Sequence, residues 1–95
     1  MVHYTLFKFK ENTLNEEVIN TFAEKYEQLE KNQEGFINPQ VYRNIVSREN
    51  NMDLMISVEI RNLEELMVYL DSAEHQELQE KYSDIIEAQV SFDHA

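Results

Sequence analysis

The sequence predicts an α+β fold: four strands in one antiparallel sheet, with helices on one of its faces, in the order β-α-β-β-α-β. Three observations carry this expectation. Residues alternate between two faces at both ends of the chain, from Val2 to Lys10 and from Ala88 to Asp93. Two long runs between them repeat apolar side chains every three or four residues, and each opens on a residue suited to cap a helix. In the middle, two stretches rich in β-branched and apolar residues flank a polar turn.

The first stretch sends His3, Thr5, Phe7 and Phe9 to one face and Val2, Tyr4, Leu6, Lys8 and Lys10 to the other, as in a strand partly buried on both sides. Thr13, followed three residues later by Glu16, reads as a capping box. Leu14, Val18, Ile19, Phe22, Tyr26 and Leu29 then mark one stripe of an amphipathic helix of about five turns. That helix is expected to end near Gly35, because a left-handed cap costs least without a Cβ. After Pro39, Val41 to Ser47 reads as the second strand and Arg48-Glu49-Asn50-Asn51 as a turn. The third strand, Asp53 to Ile60, directs Leu54, Ile56, Val58 and Ile60 toward the helices and Met55, Ser57 and Glu59 away from them. Asn62 and Glu65 form a second capping box, which starts a helix through Leu63, Leu66, Met67 and Leu70. A polar break at Asp71-Ser72 interrupts that helix, and a second piece runs from Ala73 to Ile86. Ala88, Val90 and Phe92, alternating with Gln89, Ser91 and Asp93, make the last strand.

This order is the split βαβ pattern of ferredoxin-like folds, in which two helices cover one sheet face and leave the other open. On a single copy the open face would expose Tyr4, Leu6 and Met55 as an apolar patch. Two sheets closing face to face would bury it and bring Lys8 and Glu59 onto one shared inner face, so a symmetric homodimer is expected.

Composition narrows the function classes. A chain of 95 residues makes one domain, residues 1–95, and buries only about 60–65% of its unfolded surface, which a second copy would improve. Nineteen acidic against eight basic side chains give a net charge of −11, which repels phosphate backbones and anionic membrane surfaces. Neither nucleic acid nor membrane is an expected partner. The absence of Cys excludes thiol redox chemistry and cysteine-ligated metal, and no His, Asp and Glu spacing resembles a zinc site, so no metal is expected. A single Gly leaves no phosphate-cradling loop, and no cofactor is implied. Lys8 and Lys10 fall where the apolar core of a signal peptide would run, and no apolar stretch approaches the ~20 residues of a membrane span, so a soluble cytoplasmic protein is expected.

Two blocks are more specific: His3 with Leu6-Phe7-Lys8-Phe9-Lys10, and Tyr69 with Glu74-His75-Gln76. With Arg43-Asn44 and Asp53-Leu54 between them, the chain resembles the stress-responsive α/β-barrel family, the dimeric α+β barrels called Dabb domains. Two positions depart from the family pattern. Tyr42 stands where a small residue usually precedes Arg43, and Ala73 stands where a Pro often lies two residues before the late histidine. The resemblance implies a cavity between sheet and helices. By analogy with the family's plant polyketide cyclase, it implies His75 as general base, with Tyr69 and His3 assisting. It also implies apolar walls from Thr5, Phe7, Phe22, Tyr26, Ile56 and Val58 around an apolar or aromatic small molecule. An imidazole that is neutral near pH 7 can take a proton beside a carbonyl, and a phenol can donate to the enolate oxygen.

Each feature also has a plainer reading. His3, Tyr69 and His75 can form a buried hydrogen-bonded cluster, and aromatic residues at strand or helix spacing commonly build core. On an unbroken helix Tyr69 and His75, six positions apart, would stand about 120° from each other, so only a real break lets them meet. With the resemblance, the first reading is a small homodimer, stress-linked or binding an apolar small molecule, and the second a cyclase-like enzyme. A third reading, a monooxygenase of the same barrel type, is disfavoured because the chain has no Trp.

Overall fold

The computed structural model describes residues 1–95, which form seven elements: β1 (Val2–Phe9), α1 (Glu16–Asn32), β2 (Phe36–Arg43), β3 (Leu54–Ile60), α2 (Leu63–Leu70), α3 (Ala73–Tyr82) and β4 (Ile86–His94). The strands pair antiparallel in the order β2-β3-β1-β4, so β1 sits inside the sheet between β3 and β4. This is the expected ferredoxin-like α+β fold, with the second helix divided in two. No helix is long and apolar enough to cross a membrane.

The alternation in β1 resolves as expected. His3, Thr5, Phe7 and Phe9 are buried on the helix side with Leu54, Ile56, Val58 and Ile60 of β3. Phe22, Tyr26 and Leu29 of α1, Leu66 and Tyr69 of α2, and Leu78 and Tyr82 of α3 close over them in one core. The Phe22 ring lies edge-on to Phe7 and stacks on Tyr82, which ties α1 to the sheet and to α3.

Four boundaries differ from the sequence expectation, each for a local reason. Asn15, not Thr13, caps α1: its side chain accepts from Val18 N–H at 3.0 Å, while the Thr13 hydroxyl donates back to the Lys10 carbonyl. The second strand begins at Phe36, before Pro39, because β2 is an edge strand and its register with β3 shifts between Ile37 and Gln40. A proline without an N–H is tolerated at such a bulge. The same strand stops at Arg43, since the Asn44 side chain accepts from Val46 N–H and donates to the Met52 carbonyl, turning the chain. Ile45 and Val46, expected in the strand, project from that turn. Finally, α3 ends at Tyr82 rather than Ile86, and Ile86 opens β4.

Gly35 has a φ of +31° between α1 and β2, and a Cβ there would lie 2.6 Å from Glu65 Cγ, so both backbone and space require glycine. Asn62 caps α2 by accepting from Glu65 N–H at 3.0 Å. Glu65 does not close the box; its carboxylate binds Arg61 and Gln33 instead.

The sheet face away from the helices is uncovered. The register sets Tyr4 between Ser57 and Phe92, and Leu6 between Met55 and Val90. Phe92 is 63% exposed there, with Tyr42 and Val90 about half exposed. Lys8 lies at the opposite end of β1 from Val2, the partner of Glu59, and its own carboxylate neighbour is Asp53 at 3.5 Å. Strand β4 is exposed on both faces, so Gln89, Ser91 and Asp93 on the helix side also lack a helix above them.

Candidate functional site

The division of the second helix brings the three polar candidates together. Asp71 ends α2, and Ser72 adopts an extended backbone and caps α3, its hydroxyl oxygen accepting from His75 N–H at 3.2 Å. The Ser72 hydroxyl donates in turn to the Tyr69 carbonyl at 2.7 Å, which fixes one helix end against the other. The Tyr69 and His75 rings consequently meet edge to face, with centroids 4.9 Å apart. The His3 ring approaches Tyr69 from β1 at 5.8 Å. The convergence that an unbroken helix would forbid is therefore present, and serine performs the helix restart at the position beside Ala73.

Around this centre the hydrogen bonds are specific. Tyr69 and Tyr26 share a bond of 2.5 Å between their hydroxyl oxygens. His3 Nδ1 lies 2.5 Å from Asp93 Oδ1, and His3 Nε2 lies 3.1 Å from Thr5 Oγ1. Asp93 was not singled out in the sequence; the signal that could have found it is the alternation of β4, which puts Asp93 on the same side as Gln89 and Ser91. The register then sets it opposite His3.

Burial separates the roles these groups can play. His3, Thr5, Tyr26 and Tyr69 are buried, whereas His75 is only partly buried. Desolvation pushes the Tyr69 phenol up to about 12, against hydrogen bonds from Tyr26 and Thr5 that favour the anion. Burial raises Tyr26 well above the ordinary phenol range, helped by the neighbouring Tyr69 charge and hydrogen bond. Burial also lowers the pKa of the His75 imidazole, opposed by a hydrogen bond to the Leu70 backbone and aided by the charge of His3. The arrangement can thus present an uncharged imidazole near neutral pH beside a protonated phenol.

The apolar candidates take a different place. Phe7, Phe22, Tyr26, Ile56 and Val58 are each at most 2% exposed and pack against one another in the core. Two hollows lie elsewhere. One of about 720 Å³ is bordered by Lys8, Lys10, Arg43, Arg48 and Asp53 at the far end of the sheet. Another of about 380 Å³ lies on the open face among Leu6, Tyr42, Met52 and Met55. No three His, Asp or Glu side chains converge as metal ligands would.

The family model described as the Stress Responsive A/B Barrel Domain, Dabb, matches residues 1–95. No curated protein matches the chain. Among solved structures, the chain is similar to a dimeric protein of unknown function with a ferredoxin-like fold from Bacteroides fragilis, at 22% identity and a TM-score of 0.77, covering 98% of this chain and 94% of that one. It is similar to a Dabb family protein with a ferredoxin-like fold from Mesorhizobium loti, at 17% identity and a TM-score of 0.74, covering 99% and 93%. A hydroxynitrile lyase from Passiflora edulis matches at 11% identity and a TM-score of 0.75, covering 98% and 89%. At these identities the likeness establishes the fold alone.

Proposed function

We propose, for a chain that belongs to the stress responsive A/B barrel domain family, that it acts as a homodimer and holds a small apolar or aromatic carbonyl compound against His75, Tyr69 and His3. The homodimer is supported by the exposed apolar face of Tyr4, Leu6, Val90 and Phe92 and by neighbours described as dimeric. The observation that carries the ligand site is the restart of the helix at Ser72. It sets a partly buried imidazole edge to face against a buried phenol. The ligand rests beside His75, beneath the uncovered inner face of β4, while Phe7, Phe22, Ile56 and Val58 fill the core behind the cluster. Thr5 is hydrogen-bonded to His3 and Tyr26 to Tyr69, which holds the polar cluster in place.

Acetophenone, an aromatic ketone, is the probe for a calorimetric titration. Saturable binding to the wild-type protein, weakened about tenfold in His75→Ala and in Tyr69→Phe, is the expected result, equivalent to about 1.4 kcal/mol. Equal affinity in all three proteins would place the ligand elsewhere.

A second reading, general-base catalysis of the polyketide-cyclase type, is favoured by the lowered pKa of His75. The imidazole takes a proton from the carbon beside a carbonyl, and the Tyr69 hydroxyl donates to the developing enolate oxygen. Hydrogen–deuterium exchange of the CH₂ group of benzoylacetone reads this step without knowledge of the natural substrate. Acceleration by wild type, reduced at least about 100-fold in His75→Ala, is expected on this reading; exchange at the same rate with both proteins would remove it.

A further inference from the structure

Basic side chains are scarce in this chain and gather in one place. The hollow of about 720 Å³ at the Lys8 end of β1 is lined by Lys8, Lys10, Arg43 and Arg48, four of the eight basic residues. Its lining takes up 15 of the 95 positions, so half of the basic residues stand in less than a sixth of the chain. Acidic residues show no such bias: Glu11, Glu49, Asp53 and Glu87 are four of nineteen, close to the share an even spread would give. The hollow is therefore balanced in charge on a protein whose net charge is −11.

Both walls are braced. One is the turn after β1, where Lys10 N–H donates to the Ile85 carbonyl at 2.8 Å, and Thr13 folds back on the Lys10 carbonyl through its N–H and its hydroxyl. The other is the connection between β2 and β3. There Lys8 Nζ and Asn51 N–H both donate to the Arg48 carbonyl at 3.1 Å, and the Asn51 side chain donates to the Val46 carbonyl at 3.3 Å. A hollow held open by its own hydrogen bonds loses little freedom when a ligand enters.

The charges inside it divide into used and unused. Asp53 accepts from Phe9 N–H at 2.8 Å and lies 3.5 Å from Lys8 Nζ, so these two side chains largely satisfy each other. The side chains of Lys10, Ser47 and Arg48 make no hydrogen bond or ion pair in the fold, and Arg43 reaches only the exposed Glu16, at 3.4 Å. Glu11, Glu49 and Glu87 are exposed, on side chains free to turn into water. Donors thus stand on two walls, one from the turn after β1 and the others from the β2–β3 connection. That arrangement suits a tetrahedral dianion with three acceptor oxygens better than a flat carboxylate.

We infer that this hollow binds a small organic phosphate monoester. Lys10, Arg43 and Arg48 hold the phosphate, the Ser47 hydroxyl donates to it, and Lys8 stands behind as a fixed charge. The space exceeds a phosphate group, and Leu14, Ile45 and Val46 line the remainder for a partly apolar body. The overall charge still repels extended polyanions, whereas a small anion within the hollow is close to these cations and is screened from distant carboxylates. Nothing in this site depends on His75 or its ligand, since His3 lies toward the other end of β1 from Lys8.

The test is an NMR titration of ¹⁵N-labelled protein with phenyl phosphate at fixed ionic strength, above the second phosphate pKa of about 6. The expected result is a set of saturable shifts confined to the amides of residues 10–14 and 43–49. The Kd should rise at least about threefold in Lys10→Gln and in Arg48→Gln. It should not change in Lys31→Gln, which removes the same charge from the last turn of α1, outside the hollow. The Lys10 and Arg48 side chains hold nothing else in place, so both variants should keep the wild-type spectrum elsewhere. Shifts that do not saturate, or a loss in Lys31→Gln as large as in Arg48→Gln, would overturn the inference. So would phenol moving the same amides with the same midpoint, because the phosphate would then contribute nothing.

Discussion

At the scale of single residues, His75 and Tyr69 make opposite pH predictions from the same cause, burial. The folded pKa of His75 lies below its unfolded value of 6.5, so above that value the group adds no penalty to folding. As pH falls below it, the unfolded chain binds the proton more readily and stability is lost until the folded pKa is reached. Urea denaturation of His75→Gln across this window should show a shallower acid loss than wild type. Tyr69 runs the other way. Its folded pKa is raised from 10.0 to about 12, so its contribution is intact below the unfolded value and is lost as pH rises from one to the other. The loss amounts to about 2–3 kcal/mol by linkage. Tyr69→Phe should unfold less steeply over that alkaline range, as followed by circular dichroism. Both residues were legible in the sequence through the Tyr69 and Glu74-His75-Gln76 block. Asp93 was not, because a carboxylate near the end of an alternating strand looks solvated until the register sets it against His3. The packing of Phe7, Phe22 and Val58 was legible only as one of two readings, since the same spacing serves a core and a cavity wall.

At the scale of elements, the turn between α2 and α3 positions the site. Ser72→Ala removes the cap and the bond to the Tyr69 carbonyl together, and should cost about 1 kcal/mol or somewhat more in denaturant unfolding. Its diagnostic effect is on His75, whose imidazole signals should broaden or shift as α3 loses its anchor; unchanged signals would mean that packing of Leu78 and Tyr82 alone aims the ring. The break was legible from Asp71-Ser72 because serine between two helical runs is a good cap. Other boundaries were less so. Thr13 and Asn15 are both capping types two residues apart, and the choice between them depends on where Val18 and Phe22 meet the sheet. Pro39 reads as a strand's beginning by local rules, yet the edge position of β2 and its bulge let the strand start at Phe36. Tertiary placement, which no local pattern contains, decided these two cases.

At the scale of the whole molecule, the uncovered sheet face is the feature with the largest consequence. Phe92, 63% exposed, stands beside Tyr4 near one end of that face. Phe92→Glu should leave the protomer's stability nearly unchanged, within about 0.5 kcal/mol, because the side chain is largely in water already. If the proposed homodimer closes over this face, the same change should shift the protein from dimer to monomer in sedimentation at micromolar concentration, since it would place a charge inside the interface. The fold order and this face were both readable from alternation, because a period of two survives any detail of packing. The central claim, that His75, Tyr69 and His3 together form the ligand site, is tested most directly by the three histidines themselves. Two belong to the cluster, and the third, His94, stacks on Tyr4 on the open face. Titrating ¹³Cε1-histidine protein with acetophenone should shift the His75 and His3 signals saturably and leave His94 in place. Saturation at His94 alone, or no shift at His75 up to the solubility limit of the ketone, would contradict the account.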